Sequence, residues 1–85
     1  MSTSVESLIA KHIEENPYYP GPADVRLRDA CVPVWALILY WRAAEGDTAR
    51  VAADYEVPVE AVEAAVAYYW QHQAVIEARL AANRT

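Results

Sequence analysis

Cysteine, glycine and basic residues are all scarce in this chain, and each scarcity narrows what it can be. The one cysteine, Cys31, excludes a disulfide framework and suits a reducing compartment. Two glycines beside a 55% hydrophobic composition exclude a disordered chain and favour a folded, helical one. The longest apolar run, "VPVWALILYW" from Val32 to Trp41, is too short to span a bilayer. The opening "MSTSVES" has neither the basic region nor the long apolar core of a secretory signal. The expectation is a soluble, cytoplasmic protein with no membrane contact. Its 85 residues suffice for one domain with a core that needs no disulfide or metal.

Seven Lys and Arg residues stand against twelve Asp and Glu, a net charge of −5. Binding DNA without sequence preference depends on neutralising phosphates, so this balance disfavours a free-standing DNA binder and suits a basic partner. The shortage is sharpest between Val57 and Ala78, where neither Lys nor Arg occurs. Residues for chemistry are equally sparse. His12 and His72 have no second His or Cys at ligand spacing, and read as surface or capping residues. Cys31 lies at an apolar strand-to-helix junction with no base in view, and reads as inert. There is no glycine-rich phosphate loop and no nucleophile motif. No catalytic residue, metal, cofactor or small-molecule substrate is expected.

What is present is mostly helical. Thr3 and Glu6 form a capping box ahead of Val5, Leu8, Ile9, His12 and Ile13, predicting a helix from about Ser4 to Glu15. "NPYYPGP" stops it and makes a loop with two tyrosines. Val25 and Leu27 then alternate with Arg26 and Arg28, which predicts one short strand. A lone strand leaves backbone groups unpaired, so its mate is expected in a second copy of the chain. Residues 1–24 thus form an N-terminal helix and Pro/Tyr loop, and 25–85 a helical unit, within a single globule.

Pro33 opens a helix that is apolar on nearly every face up to Arg42, and so central. Gly46 ends it, and Asp47 caps a second, short helix from Thr48 to Tyr55. Pro58 opens a third. There Val59, Val62, Val66, Tyr69, Gln73, Ile76 and Leu80 follow an unbroken 3-4 spacing, the stripe that two helices share in a seam. Such a helix runs roughly 36 Å, against a radius of gyration of about 12 Å for a domain this size. The expectation is that the second half of the stripe, Tyr69 to Leu80, meets another chain.

Val51 and Ala52, with Tyr55, Val57, Val62 and Ala65, have the packing positions of a helix-turn-helix. The turn position often held by glycine is Glu56. The plain alternative is an orthogonal three-helix bundle with no DNA role, and the reading helix offers Glu60, Glu63 and alanines rather than a guanine-reading Arg. Arg26, Arg28, Arg42 and Arg50 are the residues that DNA contact would use, the first two as a ribbon from a dimeric strand. Asp24 and Asp29 flank that strand, which also fits an ordinary charge-paired face. Tyr68, Tyr69 and Trp70 suit base stacking or a protein interface, and only the interface dispenses with a basic groove.

The piece "VRLRDACVPVWALILY…VAADYEVPVEAVEAAVAYYWQH" resembles the domain of unknown function 433 family. Arg28, Val32, Pro33, Val34 and Trp35 match its first block. Ala52, Asp54, Tyr55, Val62, Ala64, Ala65, Ala67, Tyr68 and Tyr69 match its second. The likeness covers about Val25 to His72. Asp29, Ala30 and Cys31 replace the family's Gly, Thr and Arg, removing a basic residue and a flexible turn. The resemblance implies a mainly α, homeodomain-like fold, often dimeric through its strand. It also implies an antitoxin role against a PIN-like ribonuclease toxin, sometimes with repression of the antitoxin's own promoter.

The expectation is therefore a non-enzymatic, homodimeric interaction module of antitoxin type. Its interface would use Val25, Leu27, Tyr69, Trp70, Gln73, Ile76 and Leu80, with Arg79 as a further contact. The rivals are a DNA-binding autorepressor and a structural protein without either role.

Overall fold

The computed structural model describes residues 4–83, and the fold is mainly α with one small antiparallel sheet. The first helix, α1, spans Val5–His12. The expected Thr3 capping box lies outside the described residues; Ser4 is the cap, its hydroxyl accepting from the Ser7 N–H at 3.1 Å. The helix stops at His12, three residues short of expectation, because Ile13 and Glu14 turn extended as β1. Asn16 then accepts from the Tyr18 and Tyr19 N–H groups at 2.9 and 3.3 Å, a side-chain turn that starts the tyrosine loop.

β2, Arg26–Leu27, is antiparallel to β1, with Ile13 opposite Leu27 and Glu14 opposite Arg26. This corrects the expectation that the strand finds its mate in another copy. Its other edge is covered too: Leu27 N–H donates to the Val32 carbonyl at 2.8 Å, and Val34 N–H to the Val25 carbonyl at 2.9 Å. Both edges are satisfied within one chain, so no hydrogen-bonding edge is left at β2 for a second. Val25 and Leu27 are buried in the chain's own core rather than offered at an interface. The hairpin that returns from β2 passes through Cys31, which is exposed and left-handed at φ 54°, not embedded in apolar surroundings.

α2, Val34–Ala43, buries Val34, Leu37 and Ile38, with Pro33 at its N-cap. Glu45 and Gly46 reverse the chain in the left-handed region. Asp47 caps α3, Thr48–Tyr55, accepting from the Arg50 N–H at 3.1 Å as its position predicts. Glu56 adopts φ 58° and ψ 45°, and Val57 N–H reaches back to the Ala52 carbonyl at 3.0 Å. The residue departs from glycine, but the turn is the left-handed C-cap a glycine would make.

α4, Val59–Gln71, is the centre of the molecule. Ala61, Ala64 and Ala65 are fully buried, and their small side chains let α1, α2 and α3 all pack against it. Val62, Tyr68 and Tyr69 complete its inner face. Here a second correction follows. The long helix does not run on: at His72, φ −126° and ψ 38° leave the helical region, and α5, Gln73–Asn83, docks on α2. Ile76 and Leu80 are buried there by the chain itself, each removal of such a side chain from water being worth about 1.5–3 kcal/mol. The stripe that seemed to require company is hidden by a bend, and the radius of gyration is 12.0 Å. No helix among the described residues is long and apolar enough to cross a membrane.

Candidate functional site

Two polar clasps fasten the outer helices. His12 is buried, 4% exposed, between two carboxylates: Nδ1 lies 2.8 Å from Asp29 Oδ2 and Nε2 lies 3.0 Å from Glu60 Oε2. Both ring nitrogens facing carboxylates favours the doubly protonated imidazolium. Burial pulls its pKa down, but the bonds to Glu60 and Asp29 outweigh that and raise it above the usual 6.5. Glu60 is held below its usual range by His12 first and then by Lys11, whose Nζ is 3.2 Å away. The clasp ties α1 to α4 and to the hairpin after β2. It was not foreseen as a site, although His12 stands on the apolar stripe of its helix, three residues after Ile9.

At the other end, Arg42 of α2 donates to Glu77 of α5 and to the Tyr69 hydroxyl, which also donates to Glu77. Arg79 bonds Asp24 at 3.1 Å and lies over the Trp35 ring at 4.5 Å. Tyr68 donates to the Pro22 carbonyl at 2.7 Å, fixing the end of the tyrosine loop.

These contacts place the arginines. Arg26 and Arg28 both pair with Glu14, at 2.7 and 3.5 Å, and Arg50 pairs with Asp54 at 3.8 Å. With Lys11, Arg42 and Arg79, every described cation is ion-paired within the chain. The four arginines expected at a nucleic acid fall on three segments, with Arg26 and Arg28 sharing Glu14 at the hairpin, Arg42 of α2 beside Glu77 and Arg50 of α3 beside Asp54. By contrast Glu45, Glu56 and Glu63 are exposed and make no ion pair among the described residues.

The outward face of α4 is a stripe of Val59, Glu63, Val66 and Trp70, at helical spacings of four, three and four. Val59 is 45% exposed and Trp70 58%, while Val66 is half-buried. Of the seven expected interface residues, Trp70 and Gln73 alone are exposed; Val25, Leu27, Tyr69, Ile76 and Leu80 are core. Among the described residues there is no pocket and no group of three His, Cys, Asp or Glu side chains converging on a point. In the His12 clasp the imidazole ring lies between the two carboxylates, with one ring nitrogen on each. Compared with known proteins, the chain matches no family model, no curated protein and no solved structure.

Proposed function

We propose that this protein is a non-enzymatic interaction module that binds a basic protein partner through the outward face of α4. The single observation behind this reading is that face: two large apolar side chains, Val59 and Trp70, flank Glu63, with no cation on it. An apolar stripe on a helix is what a partner's groove accepts, and exposed Trp is a frequent anchor of such contacts. The unpaired carboxylates at Glu56 and Glu63 would complement a basic rim.

The resemblance to the domain of unknown function 433 family supplies a specific candidate, a PIN-like ribonuclease encoded beside this chain. A nuclease must attract phosphates, so its substrate groove is basic, and an acidic module neutralises it by occupying that groove. In this reading α3, the Glu56 turn and α4 are a homeodomain-like helix-turn-helix used for protein contact in a cytoplasmic antitoxin. The autorepressor reading is disfavoured by the internal pairing of all four candidate arginines, since each would have to exchange a carboxylate for a phosphate.

The test is ribonuclease inhibition. The purified chain should inhibit the adjacent ribonuclease stoichiometrically, and Trp70→Asp or Glu63→Arg should weaken inhibition roughly 30-fold or more, about 2 kcal/mol, without altering the far-UV spectrum. Unchanged inhibition by both variants would remove the α4 face from the account.

A further inference from the structure

We infer that the chain also forms a domain-swapped dimer, in which α4 and α5 become one continuous helix and α5 docks on α2 of a second copy. The inference is independent of the reading of the α4 outward face, and begins from a mismatch at the hinge. From Tyr69 to Ile76 the sequence reads Tyr-Trp-Gln-His-Gln-Ala-Val-Ile, with no glycine or proline to break a helix. The stripe Val59, Val62, Val66, Tyr69, Gln73, Ile76 and Leu80 passes through this point without losing step. Yet at His72 the backbone leaves the helix, with ψ 38° in place of about −42°.

The bend has a local cost. The Gln73 N–H does not reach the Tyr69 carbonyl, nor the Val75 N–H that of Gln71, and the Tyr69 carbonyl instead takes the His72 N–H at 3.2 Å. His72 is also a poor N-cap for α5, having neither the hydroxyl nor the carboxylate that would satisfy the freed donors. What holds the bend is long-range: burial of Ile76 and Leu80, the Arg42–Glu77–Tyr69 cluster, and Arg79 between Asp24 and Trp35.

Every one of those contacts can be made equally well by α5 of an identical chain, because the surface that receives it is unchanged. Straightening the hinge restores the lost helix bonds and moves α5 off its own α2. Swapping then recovers the burial and the ion pairs in trans, so nothing is lost except the freedom of separate molecules. The occupant is therefore fixed as a second copy: the α2 surface already fits this helix.

Two experiments test the swap. In the first, His72→Ala is compared with His72→Gly; both lose the Tyr68–His72 ring stack, seen at 4.2 Å, so only helix preference differs. The alanine chain should dimerise roughly 30-fold more tightly by sedimentation, from the Ala–Gly helix preference acting at two hinges. Equal or reversed affinities would overturn the swap. In the second, Asp24→Arg and Arg79→Asp are purified separately and mixed. Each alone opposes like charges at the α5 dock, whether closed or swapped. Only a heterodimer with exchanged α5 helices restores opposite charges at both docks, so the mixture should elute as a dimer where each alone does not. A mixture that behaves as the sum of its parts would contradict the proposal, even if neither single variant is well folded.

Discussion

The two ends of the molecule are fastened by clasps of similar design but different cations. α1 is held by an imidazolium between Asp29 and Glu60, and α5 by guanidinium groups that reach Glu77, Tyr69 and Asp24. A guanidinium stays charged at every pH the protein meets, whereas an imidazole does not. The difference means that a rise in pH through the His12 value loosens one end of the core and leaves the cations of the other charged. It also separates two kinds of strength, because the α5 clasp sits over buried Ile76 and Leu80, while the α1 clasp is centred on a buried polar side chain, His12.

The largest effect should come from the apolar floor of the α5 end. Ile76→Ala removes a fully buried side chain and should cost about 2–5 kcal/mol in urea unfolding. Hydrogen exchange in that variant should show α5 opening before α1. Next, His12→Ala should cost about 2–3 kcal/mol, the worth of its bonds to charged groups, and should open α1 first. The two carboxylates it leaves are partly exposed and rehydrate, which keeps the loss below that of a stranded buried charge.

The third test is pH. His12 has a raised folded pKa, so its contribution is full below the unfolded value near 6.5 and is lost as pH rises through the folded value. Glu60 is lowered, so its contribution is present above about 4.5 and is lost as pH falls through its folded value. The clasp is therefore strongest between those limits. Thermal melts should fall in the wild type above neutral pH and lose that component of their slope in His12→Ala. Arg79→Ala should lower stability without changing the slope. The smallest effect should be a gain: Glu56→Gly relieves a left-handed backbone at φ 58° and should stabilise by about 1 kcal/mol or less, read as a raised melting temperature.

Much of this fold is legible in the sequence because its signals are local. Asp47 and Pro58 mark helix starts by chemistry that acts within a turn, and the apolar spacing of Val59 to Tyr69 marks the central helix. β1 is illegible because two residues, Ile13 and Glu14, carry no period; they become a strand only when Leu27 and Arg26 arrive beside them. The bend at His72 is illegible for the same reason at greater range. Nothing from Tyr69 to Ile76 opposes a helix, and the partners that hold the bend lie 35 and 55 residues away along the chain. Of the candidate site, Trp70 and Glu63 could be placed on one face from spacing alone. Which face was outward depended on the buried alanines.

The most direct measurement is a hydrogen-exchange footprint of the chain bound to the PIN-like ribonuclease we propose as its partner. The account predicts added protection centred on the Glu56 turn and residues 59–70, with the β2 and α3 arginine segments unchanged. Protection confined to Arg26, Arg28 and Arg50, or none along α4, would contradict it.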